Sequence, residues 1–573
     1  MKRYIPILDW ISNYKSDTLK SDLFAGLTVG VILIPQGLAY AMIAGLPPIF
    51  GLYAALVPQI VYAILGTSRH LGIGPVAMDS LLVASAIGAM KPANIDEYIS
   101  VAIFLALFVG SIQFLLGVLR MGFLVNFLSR PVISGFTSAA ALIIGFSQLK
   151  YLLGVDISRS NRFHEIVSNS IEKIGETHLN SLIIGSVGIG VIYAFKKWKR
   201  SFPAPLIVVV ASILVMYLTQ LHTTGVQIVG HIDQGLPSFG IPAISYEKII
   251  QIAPFAFALA LVAFTEAISI GKSIEHQHDD YKIDPNQELR ALGLSNMLGS
   301  LFQSYPTTAS FSRSAINNEV GAKTGMASLV SAAIIAMTLL FLTPLFYYLP
   351  KPILASVIMV SVFGLIDVTY PIQLLRKRRD EFFALLITFI STLFLGIIEG
   401  IVIGVLFSLL LLVYRTAKPH VAELGRIGDS DYYKNVARFG KEIEKRADLL
   451  ILRFDSQLFF GNTEFFKSEI ARRVEEHGVE LKCIILNAEC INYIDSTGSI
   501  VLKNVIKEYR AKGIDFMITG AIGPIRDILH KSGVIESLGS EKLFVKTHEA
   551  VNFIDNGTIK SELQSKISGQ TLQ

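Results

Sequence analysis

Three shortages frame the reading of this 573-residue chain. Charged residues make up 17% of it and hydrophobic ones 52%, whereas a soluble domain carries about 25% charge. That balance excludes an ordinary soluble protein. Cysteine occurs only as Cys483 and Cys490, both in the polar C-terminal part. Two thiols give no disulfide framework and suit a reducing compartment, which argues against a periplasmic tail. Signatures of catalysis are the third shortage. Gly271-Lys272-Ser273 looks like the end of a phosphate-binding loop, but the glycine required five positions earlier is Glu266, so an ATPase is excluded. His276, His278, Asp279 and Asp280 have no fixed ligand spacing, and a solvated loop is preferred to a metal site. No nucleophile–base pair is evident either. The chain is read as no enzyme, with no catalytic residue, cofactor or metal.

What the chain has in abundance is apolar runs of ~20 residues, the length that crosses a bilayer core. They recur from Asp22 to about Arg415. The first follows a polar N-terminus without a small-residue cleavage site, so it is read as a crossing and not as a signal peptide. Helices are expected near 22–41, 48–66, 75–90, 97–119, 124–150, 181–196, 204–220, 252–272, 286–302, 309–320, 323–347, 351–368, 381–398 and 399–416. This makes about fourteen crossings, two of them short. Lys15, Lys20, Arg69, Arg120, Arg130, the Lys196–Arg200 cluster, Arg290, Lys323, the Arg376–Arg379 run and Arg415 then fall on one side. By the positive-inside rule that side, with both termini, is cytoplasmic. The net charge of +5 reflects loop topology, and no nucleic-acid partner is needed to explain it.

The most informative stretch is Tyr305 to Asn317, Tyr-Pro-Thr-Thr-Ala-Ser-Phe-Ser-Arg-Ser-Ala-Ile-Asn. Lipid cannot solvate a proline, several hydroxyls and an arginine, so they should face a protein interior or a watery cavity. As a helix start, Thr307 to Ser312 would aim free backbone N–H groups at that space, with Arg313 one turn in. Gly72-Ile-Gly-Pro-Val-Ala-Met78 is a similar interruption in the first half. The halves also share a weaker pattern, Phe127–Phe136 against Tyr348–Val357. Seven crossings per half, an odd number, require inverted halves. Two broken helices would then enter from opposite faces and meet near the midplane, where their N-termini favour an anion. The plainer alternative is that Pro75 and Pro306 merely kink two ordinary helices; their matched positions weigh against it. Glu266, on an otherwise apolar helix, is a candidate proton carrier, the alternative being a static salt bridge to Arg313. Asp79 is read as structural, paired with a basic residue. Arg69 and His70 are read as anchors at the cytoplasmic boundary.

Beyond Arg415 the chain turns polar. A charged linker (417–446) precedes strands at 449–454, 483–487, 515–519 and near Leu543, alternating with helices at 463–476, 497–509 and 525–530. That order gives a small α/β layer.

Leu33–Ala41, Pro48–Tyr53, Gly66–His70 and Ser310–Asn317 resemble the sulfate permease (SulP) family of anion transporters, and the tail looks like that family's STAS domain. The resemblance covers nearly the whole chain. It implies an α-helical membrane protein with a seven-plus-seven inverted repeat (about 22–220 and 252–416), core and gate domains in elevator motion, and a homodimer. The expected domains are a cytoplasmic N-terminus (1–21), a transporter (22–416), the linker, a cytoplasmic STAS domain (447–556) and a flexible tail (557–573). Carried over, Gln36 and Tyr40 would line the anion pocket, Val76 and Ala77 would open one tip, and Ser310, Phe311, Ser312 and Arg313 the other. Glu266 would belong to the coupling-ion or substrate region. The Ser-Phe-Ser-Arg-Ser-Ala run leans towards sulfate. The implied function is sulfate uptake with protons across a bacterial inner (plasma) membrane. Bicarbonate or dicarboxylate transport with sodium, uncoupled anion flux, and a tethered STAS scaffold with a cytoplasmic partner are the alternatives. Asp495-Ser496-Thr497-Gly498 resembles the phosphorylated-serine loop of STAS relatives, so Ser496 or Thr497 is a candidate regulatory site; an ordinary helix cap is the preferred reading.

Overall fold

The structure, a computed structural model, describes residues 4–123, 129–158, 160, 162–198, 203–242, 246–278, 280–440 and 443–556. Phe127 and Leu128 of the repeat pattern, Lys199, Arg200, Asp279 and the expected flexible tail lie outside the described residues. The chain divides into two compact units, Met1–Ser408 and Leu409–Gln573.

In the first unit, each expected crossing coincides with helix. The first half comprises α1 (Ser16–Ala44), the paired short helices α2 (Ile49–Ala54) and α3 (Val57–Leu65), α4 (Ala77–Ala89), α5 (Ile95–Val118), α6 (Arg130–Ser147), α7 (Leu179–Trp198) and α8 (Ala204–Thr219). The second comprises α9 (Tyr246–Glu275), α10 (Pro285–Ser300), α11 (Phe311–Glu319), α12 (Met326–Met337), α13 (Lys351–Phe363), α14 (Arg379–Phe394) and α15 (Ile397–Ala417). Among the described residues, seven helices are long and apolar enough to cross a bilayer unaided, α1 and α9 being the longest at 29 and 30 residues. Two-residue strands, β1 (Ile73–Gly74) and β2 (Thr308–Ala309), precede α4 and α11 at equivalent places in the halves.

Packing sorts these helices across the repeat. α5 lies along α10 and α1 along α12, whereas α6 packs on α14 and α7 on α13. The first set is the core and the second the gate. Small residues permit the closest approach: a Cβ on Gly110 of α5 would lie 2.6 Å from the Gly293 carbonyl of α10. Leu406, Leu410 and Val413 of α15 stand outward and exposed; lipid solvates them where water would not.

Two buried carboxylates tie the cytoplasmic ends of the core. Asp22 accepts from the backbone N–H of Lys323 at 2.7 Å and from the Thr324 hydroxyl at 2.6 Å. Glu288 accepts from the Tyr62 hydroxyl and from the Thr67 N–H, each at 2.7 Å.

The second unit holds a mixed sheet of strands β3 (Val421–Ile427), β4 (Tyr433–Asn435), β5 (Ile443–Glu444), β6 (Leu449–Phe454), β7 (Cys483–Asn487), β8 (Asp515–Thr519) and β9 (Leu543–Phe544). β6 to β9 run parallel in sequence order, and β3 pairs antiparallel with β6, Leu424 opposite Ile451. Helices α16 (Thr463–His477), α17 (Ser496–Ala511), α18 (Gly523–Lys531) and α19 (Thr547–Asn556) complete the layer. The expected linker at 417–446 is therefore corrected, because β3, β4 and β5 lie within it. Val421 to Ile427 bury Ala422 and Leu424 while Glu423 takes ion pairs from Lys445 and Arg473, so a strand with charged residues set among its apolar ones reads as a linker.

Candidate functional site

The two interruptions meet. β1 and β2 pair antiparallel, Ile73 opposite Ala309 and Gly74 opposite Thr308. Each strand runs straight into its helix, so α4 and α11 leave one shared ladder in opposite directions, N-termini together. Further contacts fix the junction: Ser310 N–H donates to the Gly72 carbonyl at 3.0 Å, and Gly72 N–H to the Ser314 hydroxyl at 2.9 Å. Gly74 has φ +150°, and a Cβ there would sit 3.3 Å from Arg313 Nη2; only glycine meets both demands easily.

Neighbouring helices hold the second tip from behind. Asn296 of α10 donates to the Thr307 carbonyl at 3.0 Å and accepts from the Thr307 N–H at 2.8 Å. The Thr308 hydroxyl donates to the Ala263 carbonyl of α9 at 2.8 Å. The hydroxyls of Tyr305 and Ser80 lie 3.1 Å apart and join the approach to one tip with the first turn of the other.

Neither tip is fully capped. Val76, the N-cap of α4, provides no side-chain acceptor. Ser310 caps α11 only through a 3.5 Å contact to the Arg313 N–H. Both helices thus present backbone donors and the positive ends of their dipoles to one place.

Arg313 is wholly buried. Its Nη1 reaches Gln36 Oε1 at 3.4 Å, while Nε and Nη2 have no hydrogen-bond partner. Glu266 Oε2 and both carboxylate oxygens of Asp79 also lack one. No static Glu266–Arg313 salt bridge is formed, and among the described residues none is a basic partner of Asp79. A buried guanidinium and two carboxyls without hydrogen-bond partners are costly in a protein interior and call for an explanation.

Beside α11 lies a cavity of about 370 Å³, walled in part by Gln36, Phe311, Ser312, Lys196 and Ser361. Lys196 Nζ donates to the Val360 carbonyl at 3.2 Å on the same wall. Gln36 touches both this cavity and Arg313. Tyr40, one turn along α1 from Gln36, is buried, as are Ala77 and Ser310, and Val76 is half-buried. The structure thus brings all eight candidate pocket residues and Glu266 to one region, in two layers: Gln36, Phe311 and Ser312 at the cavity, the others behind. Sequence reasoning missed Asn296, Ser80 and the Tyr305 hydroxyl as supports. Asn296, an amide within a segment expected to cross the bilayer (286–302), was the available signal.

Arg69 and His70 are more than boundary anchors. Arg69 pairs with Asp280 at 2.6 Å, and His70 is buried, its ring stacked on His278 at 4.4 Å. In the second unit, Asp495 is the cap of α17, accepting from Gly498 N–H at 2.6 Å. The cap reading for Ser496 and Thr497 is corrected to that extent: both are exposed first-turn residues.

Residues 19–388 match the Sulfate permease family and residues 440–550 the STAS domain. The chain belongs to the sulfate permease family. It is a transporter of anions and not an enzyme, an integral membrane protein with a cytoplasmic STAS domain. This permease is 38% identical to "Sulfate transporter 4.1, chloroplastic" of Arabidopsis thaliana over 98% of this chain and 84% of that protein. It is 34% identical to "High affinity sulfate transporter 2" of Stylosanthes hamata over 95% and 85%. The murine Slc26a9 anion transporter, solved in the inward-facing state, superposes with a TM-score of 0.89 at 28% identity over 96% of this chain and 94% of that one. The transmembrane domain of the cyanobacterial bicarbonate transporter BicA shares the fold, with a TM-score of 0.60 at 20% identity over 69% and 98%.

Proposed function

We propose that this permease is a secondary active transporter that takes up sulfate together with protons, by alternating access of the elevator type. The observation that carries the reading is the buried Arg313 guanidinium, with two unmatched nitrogens beside the joined N-termini of α4 and α11. A tetrahedral dianion needs several donors converging from different directions, and two helix tips and a fork-shaped cation supply them. In this reading Val76, Ala77, Phe311 and Ser312 offer backbone donors, Ser310 offers its hydroxyl because its N–H is held by Gly72, Gln36 and Tyr40 complete the wall, and Glu266 takes the coupling proton. The curated relatives named as sulfate transporters support the choice of anion.

The proton is argued from charge. Moving sulfate alone against an inside-negative potential costs about 2.3 kcal/mol per charge per 100 mV, and a proton carried on Glu266 offsets part of that. The pairing of α5 with α10 and α1 with α12 on one side, and of α6 with α14 and α7 with α13 on the other, supports one body moving against another, with α1 against α13 and α4 against α6 among the contacts between them. The membrane is read as a bacterial inner membrane and the assembly as a homodimer. Ser496 and Thr497, exposed at a helix N-terminus, would receive a regulatory phosphate.

Reconstituted vesicles test the reading. An inward proton gradient should drive sulfate above equilibrium, and Glu266→Gln should lower the accumulation by at least about tenfold at a gradient of one pH unit. Passive flux indifferent to pH, or accumulation driven by sodium alone, would overturn it. A competition series with bicarbonate, chloride, oxalate and fumarate should leave sulfate as the preferred anion.

A further inference from the structure

Asp79 is the buried acid that the reading above leaves without a role. It lies in the first turn of α4, 1% exposed, and neither carboxylate oxygen has a hydrogen-bond partner. Its neighbour Ser80 is committed to Tyr305, and among the described residues no base forms an ion pair with it. A carboxylate placed there for structure would be expected to cap a free N–H or meet a cation. This one does neither.

The groups around it are few. α9 brings Glu266, the carboxyl that shares its electrostatic environment. Tyr305, on the approach to α11, faces it as well, and Arg313 of α11 stands against Tyr305, Tyr40 and Glu266; α1, packed on α4, carries Tyr40. α5 and α6 also pack on α4, but their ionisable groups are engaged elsewhere. Glu97 pairs with Lys248, the Tyr98 hydroxyl donates to the Ala44 carbonyl, Asp96 is exposed, and Arg130 lies over the Tyr370 ring.

Charge counting then decides the role. With both carboxyls ionised, Asp79, Glu266 and Arg313 sum to one negative charge. Adding sulfate would bring that to three, around side chains as buried as Asp79 and Arg313, where bulk solvent screens them weakly. One proton leaves two negative charges, and a second leaves one, the same as the unloaded site. We infer that Asp79 is a second proton carrier, so that each sulfate enters with two protons, one on Asp79 and one on Glu266. The inference rests on the proton-coupled reading above. The balance is complete: two protons bind two carboxylates outside, travel as carboxylic acids with the dianion, and leave inside, where both carboxylates form again. The moving body bears the same net charge loaded and unloaded, so transport is electroneutral and indifferent to membrane potential.

The test measures protons and charge moved per sulfate in vesicles of the full chain. At a gradient of one pH unit with the potential clamped at zero, two protons predict about 100-fold sulfate accumulation and one proton about tenfold. The wild type should show the former and ignore an inside-negative potassium–valinomycin potential. Asp79→Asn should move one proton, accumulate about tenfold less, and be slowed by that potential; Asp79→Glu should restore two. One proton per sulfate in the wild type would overturn the role of Asp79 while leaving proton coupling intact. Two in both the wild type and Asp79→Asn would overturn it too, assigning the second proton elsewhere. No proton movement at all would instead overturn the proton-coupled reading beneath it. Where the asparagine variant does not fold, a wild-type count of one still overturns the role, and Asp79→Ser takes the place of Asp79→Asn to decide a count of two.

Discussion

Arg313 concentrates the physics of the site in one side chain. A buried guanidinium is costly unless opposite charge comes to it, and here only Gln36 meets it, at 3.4 Å. Charge-assisted contacts to a bound dianion are worth about 1.5–3 kcal/mol. Arg313→Ala should therefore raise the half-saturating sulfate concentration by roughly 10–100-fold; an unchanged value would remove Arg313 from the pocket. His70 makes a separate prediction on the cytoplasmic side. Its Nε2 lies 2.9 Å from the Ala322 carbonyl, which can only accept, so Nε2 carries the hydrogen and Nδ1 accepts from the Tyr281 hydroxyl. Burial, with the stacked His278 adding repulsion, pushes the imidazole down to about 4. Between its ordinary value near 6.5 and that value, the unfolded chain binds a proton that the fold refuses. The stability that His70 contributes is thus complete above about 6.5 and is lost as pH falls towards 4. Thermal melting in detergent should show that decline, and His70→Gln should flatten it; parallel profiles for the two proteins would contradict this.

At the scale of elements, the crossings were legible because apolar length is a local property: each expected span coincides with a helix. The meeting of the tips was legible from proline, glycine and hydroxyls placed alike in two halves. The two-residue pairing of β1 with β2 was not, since no periodicity shows in so short a strand. Nor was the Asn296–Thr307 clasp, which joins a helix to a segment by geometry that only the fold supplies. Asn296→Ala would leave the N–H and carbonyl of Thr307 buried without these partners, a loss of about 2–5 kcal/mol. A lowered melting temperature with weakened sulfate transport is the expected outcome. A variant with wild-type stability would show that α10 does not hold the tip. The strands at 421–444 escaped notice for a different reason. Their charged residues look like a linker, and the strand that pairs with β3 and the helix α19 that covers its apolar face both lie further along the chain.

On the scale of the whole molecule, two units have separate cores. Phe516 is fully buried in the STAS sheet with Phe454 and Phe466. Phe516→Ala should destabilise that unit by about 3–5 kcal/mol, seen as one lowered transition in the melting profile, with the half-saturating sulfate concentration unchanged. A parallel loss of sulfate affinity would mean that the pocket does not stand on the transporter unit alone. Where the anion sits decides the mechanism, and the most direct measurement is an experimental structure of the sulfate-loaded protein. Density for the dianion is predicted between the N-termini of α4 and α11, within hydrogen-bonding distance of Arg313 and of backbone N–H groups from both tips. Density elsewhere, with the two tips bonded only to protein, would contradict it.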